Sequence, residues 1–209
     1  MKSAHEALKR LREGNGRFVS DSGRSGGSAS PSRRRELIDG QSPHAIILGC
    51  SDSRVPAEII FDQGLGDLFV IRVAGNIIAP SLVGSVEFAA ERFGTRLVVV
   101  LGHTECGAIL ATLEDLERPA GNRSSNLRSI VDRIRPSVEP LLQSGPGRDR
   151  DDLLRQAVRA NIRASVNHLR HGSSILERLV EEEGLLVVGA EYSLQTGIVE
   201  FFDRVPETG

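Results

Sequence analysis

Four short apolar runs constrain the fold of this chain more than any other feature: HAIILG (44–49), LFVIRV (68–73), LVVVLG (97–102) and LLVVGA (185–190). Runs of this length, rich in Val, Ile and Leu, suit strands covered on both faces. Helical patterns lie between them. Val86, Phe88, Ala89 and Phe93 share one side of a segment that stops at Gly94, and Ile109, Leu110, Leu113 and Leu116 repeat at helical spacing. Leu127, Ile130, Val131 and Ile134 mark a helix within 124–143. Leu153, Leu154, Ala157 and Val158, then Ile175, Leu176 and Leu179, mark a helical stretch over 151–183 broken at Gly172. A last run, GIVEFF (197–202), reads as an edge strand. Strands alternating with helices predict an α/β fold with a central, mostly parallel β-sheet flanked by helices.

A length of 209 residues suits one core, so residues 1–209 are read as a single domain. The N-terminus opens with Ser3 and Glu6 in capping-box spacing. Ala7, Leu8 and Leu11 follow as a narrow apolar stripe, and the expected helix ends at Gly14. Residues 20–35 are rich in Gly, Ser and Arg and read as an exposed, mobile connection, in which Arg33 to Arg35 begin a solvated helix. Residues 1–35 together form an N-terminal helical arm and flexible connection.

Lys and Arg number 26 against 28 Asp and Glu, which gives no reason to expect a nucleic-acid or membrane partner. Trp is absent, so base-stacking platforms are not expected either. No apolar run approaches the ~20 residues of a membrane span, and the charged N-terminus lacks the core of a signal peptide. A soluble, cytoplasmic protein is expected. Its two cysteines, Cys50 and Cys106, read as free thiols or metal ligands rather than a structural disulfide.

Two of the runs end alike. ILG (47–49) delivers Cys50, Asp52 and Arg54, and VLG (100–102) delivers His103 and Cys106. Ligands in open α/β sheets bind beyond the carboxyl ends of strands where the strand order reverses. If the first and third strands are neighbours there, the three groups converge, with Gly49 and Gly102 expected to permit tight turns. Two thiols and an imidazole suit Zn²⁺. The other histidines, His5, His44, His168 and His171, have no paired metal spacing. A three-ligand open site is therefore favoured over a closed structural one, with Asp52 as the nearby candidate for a fourth position. An isolated H-x-x-C is weak, and simple packing explains most cysteines at strand ends. The C-x-D-x-R on a second strand end raises the metal reading above that alternative.

CSDSRVPAEIIFDQGLGDLFVIRVAGNI followed by VVVLGHTECGA resembles the β-class carbonic anhydrases. Specific motifs cover roughly residues 40–115. LREGNGRFV and LLVVGAEYSLQTGIVEFF extend the likeness towards both ends. The resemblance implies zinc-dependent, reversible hydration of carbon dioxide to bicarbonate and a proton. It implies Cys50, His103 and Cys106 as zinc ligands. Asp52 and Arg54 would be a catalytic dyad orienting the zinc-bound hydroxide, Asp52 itself ligating zinc in a closed state.

It also implies a substrate pocket involving Gln63, Gly107, Val55 and Phe88, with Phe61 as further apolar wall and Gly75 and Asn76 shaping the adjoining loop. Gln63 is a type of residue that a partner subunit often contributes. Arg72 and Tyr192 match two positions of a non-catalytic bicarbonate site, but Ile47 stands where that site has Trp, so inhibition through it is expected to be weak. The resemblance further implies a homodimer or higher even-numbered homo-oligomer, embraced by an N-terminal arm with nothing of its own to sit on. His168 and His171 read as a solvated helix face rather than a proton shuttle. Two other functions compete. One is hydrolysis of a CO₂-like substrate, carbon disulfide or carbonyl sulfide; the other is a non-enzymatic zinc or dithiol redox-sensing protein.

Overall fold

The computed structural model describes residues 3–23, 30–117, 124–143 and 149–206. The elements run α1 (Ala4–Val19), α2 (Pro31–Glu36), β1 (Ala45–Gly49), α3 (Ala57–Ile60) and β2 (Leu68–Arg72). A single 3₁₀ turn follows at Ala74–Asn76, then α4 (Pro80–Arg92), β3 (Leu97–His103), α5 (Gly107–Glu117) and α6 (Ser125–Leu142). The chain continues with α7 (Arg150–His171), α8 (Ser174–Glu182), β4 (Leu186–Tyr192) and β5 (Val199–Asp203). The sheet order is β2-β1-β3-β4-β5. The first four strands are parallel and β5 pairs antiparallel with β4 at the edge. The four apolar runs are thus the four parallel strands.

Side chains alternate across the sheet and build two cores. Ile46, Leu48, Val98, Val100 and Val187 face the layer containing α4 to α8, where Val86, Ile109, Ile134, Ile162 and Leu176 are buried. Ala45, Ile47, Leu97, Val99, Leu101 and Val188 face the other way, towards α1 and α3. This explains why the strands lack polar alternation: helices cover both faces.

Two expectations about the arm are corrected. First, α1 has a seat on its own subunit: Ala4, Ala7, Leu8 and Leu11 are buried in the second core against the sheet. Second, α1 does not stop at Gly14 but continues to Val19. Gly14 is there for a close approach, since a Cβ would lie 1.8 Å from the carbonyl oxygen of Phe61. The next residue, Asn15, is buried and fastens the helix. Its Nδ2 donates to the carbonyls of Ile60 (3.2 Å) and Gly197 (2.8 Å), and its Oδ1 accepts from the Val199 N–H (2.8 Å). The capping box at Ser3 and Glu6 is present.

Of the expected connection over 20–35, residues 24–29 lie outside the described residues. Its end is ordered as α2, capped by Ser30, with Arg33 beside Glu36 and Asp67. Gly172 ends α7 and α8 begins two residues later, as the break in the pattern predicts.

Candidate active site

The strand order reverses between β1 and β3. The chain leaves β1 towards β2 on one side, and returns across β1 to place β3 on the other. The connections leaving their carboxyl ends therefore run to opposite faces of the sheet, towards α3 and α5, and open a crevice between them. Cys50 is the first residue after β1, His103 is the last of β3, and Cys106 immediately precedes α5. All three are buried, and their ligand atoms lie within 4.8 Å of one another.

Local chemistry fixes each group. Between His103 and Cys106, Glu105 takes a left-handed backbone (φ 55°), which reverses the chain and delivers Cys106 to the start of α5. The adjoining Thr104 is clamped to the end of β4: its N–H donates to Tyr192 O (3.0 Å), and its hydroxyl accepts from the Leu194 N–H (3.0 Å). His103 Nδ1 lies 2.8 Å from Thr104 O. Only a protonated Nδ1 donates there, so the lone pair is left on Nε2. That Nε2 is buried without a hydrogen-bond partner among the described residues. A metal-ligating histidine has this arrangement, its second ring nitrogen held by a carbonyl.

The glycines preceding the ligands play a different part from the one expected. Neither Gly49 nor Gly102 has positive φ. Gly102 lets α7 close on the sheet, since a Cβ there would lie 2.5 Å from Ile162 Cδ1.

The two thiols are unequal. The neighbouring Cys106 thiol, offering its proton to Cys50, draws the Cys50 pKa below the usual thiol range against the cost of burial; the N–H of Gly75, 3.3 Å from Cys50 Sγ, acts in the same direction. Cys106 is pushed up, first by that shared proton and then by burial. Were both sulfurs deprotonated, two buried negative charges would stand side by side, and a cation between them would offset that cost. The orphaned imidazole nitrogen and this thiol pair fit Zn²⁺, which takes sulfur and nitrogen donors in tetrahedral sites.

Asp52 and Arg54 flank the trio. Arg54 grips the carboxylate with both arms of its fork, Nε to Oδ1 at 2.9 Å and NH2 to Oδ2 at 2.7 Å, and its own N–H adds a third bond to Oδ1 at 2.9 Å. The fork holds the Asp52 pKa well below the usual carboxylate range. Asp52 Oδ2 stands 3.8 Å from His103 Nε2. Arg54 also reaches Glu105 O at 3.4 Å, tying together the loops that carry the two cysteines.

The remaining expected site residues divide. Val55 is buried and closes the turn that starts at Asp52, its N–H donating to Asp52 O (3.0 Å). Gly107 begins α5 with open space above its Cα. Gln63 is buried near Gly14 of α1, its Nε2 donating to Phe61 O at 2.6 Å and its Oε1 unpartnered among the described residues. Phe61 is core, its ring tilted against that of Phe201 with centroids 6.2 Å apart.

Phe88 is not brought to the trio of its own chain. It is half exposed on α4, with ring centroids 6.2 Å from Phe69 and 5.6 Å from Phe93. Phe69 pairs with Ile46, four residues before Cys50 and thus about 13 Å down the strand.

Arg72 and Tyr192 are separated by β1 and β3. Arg72 donates from Nε to Cys50 O (3.0 Å) and from NH2 to Asp52 O (2.6 Å), bracing the turn that follows β1. Tyr192 is buried beside Phe18, and Ile47 is fully buried. His171 is exposed, 3.5 Å from Glu177. His168 lines a cavity of about 700 Å³ between α4, α6 and α7.

Comparison with known proteins gives the family. The family model described as carbonic anhydrase matches residues 45–199. Carbonic anhydrase 2 of Mycobacterium tuberculosis is 40% identical over 206 residues, covering 97% of this chain and 95% of that protein. The carbonic anhydrase of Mycolicibacterium smegmatis is 38% identical over 210 residues, with the same coverage, 97% and 95%. Among solved structures, the β-carbonic anhydrase CafA of Aspergillus fumigatus superposes with a TM-score of 0.74 at 26% identity, covering 97% of this chain and 91% of that one. A tetrameric β-carbonic anhydrase of Sordaria macrospora shares the fold, with a TM-score of 0.71 at 22% identity and 95% of each chain covered. The chain belongs to the β-class carbonic anhydrase family and is an enzyme of that family.

Proposed function

We propose that Cys50, His103 and Cys106 hold Zn²⁺ and that the chain catalyses reversible hydration of carbon dioxide, CO₂ and water giving bicarbonate and a proton, with Asp52 and Arg54 as its catalytic dyad. The observation that carries this reading is the convergence of the three ligand atoms within 4.8 Å beside the forked Asp52–Arg54 pair. When bound, zinc lowers the pKa of a coordinated water from about 16 towards about 7 and supplies the nucleophile. Asp52 accepts a hydrogen bond from the attacking oxygen and aims its lone pair at the carbon. Arg54 keeps Asp52 ionised and fixes the direction of its free lone pairs. The open space over Gly107 leaves room for a linear triatomic substrate beside the helix start. The proton leaves to solvent or buffer.

The same reading includes an even-numbered assembly. β2 has no neighbour on its outer edge among the described residues, and Phe88 and Ile59 are largely exposed. Phe88, remote from its own trio, serves a substrate pocket only if it lines that of a neighbouring subunit. No helix among the described residues is long and apolar enough to cross a membrane, and two reduced thiols suit a cytoplasmic setting.

The test is a stopped-flow CO₂ hydration assay of the native chain against Asp52→Ala, with zinc content measured on both. The expected result is about one zinc in each and a loss of about 10²-fold or more in kcat/KM for the variant. Full activity in Asp52→Ala, or a native chain that is inactive with zinc bound, would overturn the proposal.

A further inference from the structure

The turn after β2 bears directly on the sulfur of Cys50. Gly75 and Asn76 both take left-handed backbone, with φ 70° and 42°. Glycine takes this region freely, but Asn76 does so at a cost that its surroundings must offset. The holding groups come from α7. Asn161 donates from Nδ2 to Gly75 O at 2.8 Å, and Ser165 donates from Oγ to Asn76 O at 3.1 Å. The two side chains are four residues apart and so share one helix face. Both are buried polar groups in a helix that is otherwise apolar on its inner side. The turn is also wedged: a Cβ on Gly75 would lie 2.9 Å from Ile134 Cδ1 and 3.1 Å from Ala108 Cβ. The outcome of this bracing is one hydrogen bond, from the Gly75 N–H to Cys50 Sγ at 3.3 Å.

We infer that Asn161 and Ser165 are positioning residues of the metal site: from α7 they hold the 75–76 turn so that the Gly75 N–H stays on the Cys50 sulfur and limits the electron density that sulfur gives to the metal. The inference rests on the zinc reading above and deepens it. Two thiolates cancel the formal charge of Zn²⁺. A hydrogen bond to one of them restores part of the metal's acidity, and it also pre-forms the ligand geometry. Neither residue touches substrate.

The experiment uses the full-length, metal-loaded chain as the native form, Asn161→Ala and Ser165→Ala. Zinc release to a chromogenic chelator is followed, and the sulfur-to-metal charge-transfer band is recorded after exchange of zinc for Co²⁺. Asn161→Ala should release zinc about ten-fold faster, because the Cys50 turn is no longer held in the ligating geometry, and it should move the cobalt band to longer wavelength, because a sulfur without its N–H donor holds its lone pairs less tightly. Ser165→Ala should shift both readouts in the same direction by less, and it stands in for Asn161→Ala if that variant does not fold. Variants that melt at lower temperature but keep the native cobalt band and release rate would show a merely structural role and overturn the inference. A native chain that binds neither metal at the trio would overturn the zinc reading itself, and this inference with it.

Discussion

Arg54 and Asp52 form a closed fork, two side-chain hydrogen bonds of 2.9 and 2.7 Å between residues only two apart in the chain. The turn from Asp52 to Val55 makes this possible, since it folds the arginine back over the carboxylate beside the ligand cluster. A lysine has the charge but not the fork. Arg54→Lys should therefore retain zinc and lose about 10- to 100-fold in kcat/KM, read by stopped-flow CO₂ hydration with metal analysis. Native-like kinetics in this variant would remove the fork from the mechanism.

The rate should rise towards alkaline pH. Two thiolate ligands donate more negative charge than imidazoles, so the water they leave to be ionised is less acidic than in an all-histidine site. Asp52 does not produce this limb: its pKa is held below the usual range, so it is already a carboxylate throughout. A kcat/KM profile that is flat from about pH 6 to about pH 9 would contradict the assignment.

Two glycines of α1 should respond oppositely to alanine. At Gly14 the new methyl meets the Phe61 carbonyl at 1.8 Å, so α1 must shift off the sheet. A loss of about 1–3 kcal/mol is expected. At Gly16 nothing lies within 4 Å of the new methyl. Here the better helix propensity of alanine should stabilise by about 0.5–1 kcal/mol. Thermal or denaturant unfolding of the two variants, side by side, checks both signs.

Arg72 is occupied with the Cys50 and Asp52 carbonyls, and Ile47 is an apolar side chain fully buried in the sheet, so neither offers a free group to an anion. Bicarbonate should therefore inhibit weakly and without cooperativity. Arg72→Ala should release the turn and weaken zinc retention about ten-fold, measured by chelator competition. Strong cooperative inhibition in the native chain that disappears in Arg72→Ala would show instead that Arg72 serves an anion.

The amino-acid sequence by itself determined the layer architecture and named the three groups, Cys50, His103 and Cys106, that the fold brings together. Apolar runs such as AIILG and LVVVLG are buried on both faces whatever else the chain does, and a chain with two cysteines has few ways to hold a soft metal. The adjacent carboxylate and guanidinium were likewise legible, because Asp52 and Arg54 meet within one turn. The reasons for Gly14 and Gly102, the seat of α1, the bracing by Arg72 and the grip of Asn161 on Gly75 were decided only by the tertiary structure. Local pattern carries no signal for them. Asn161 and Gly75 are 86 residues apart. A polar side chain on a helix, or a glycine in a strand, shows its purpose only when the backbone it approaches has been folded against it.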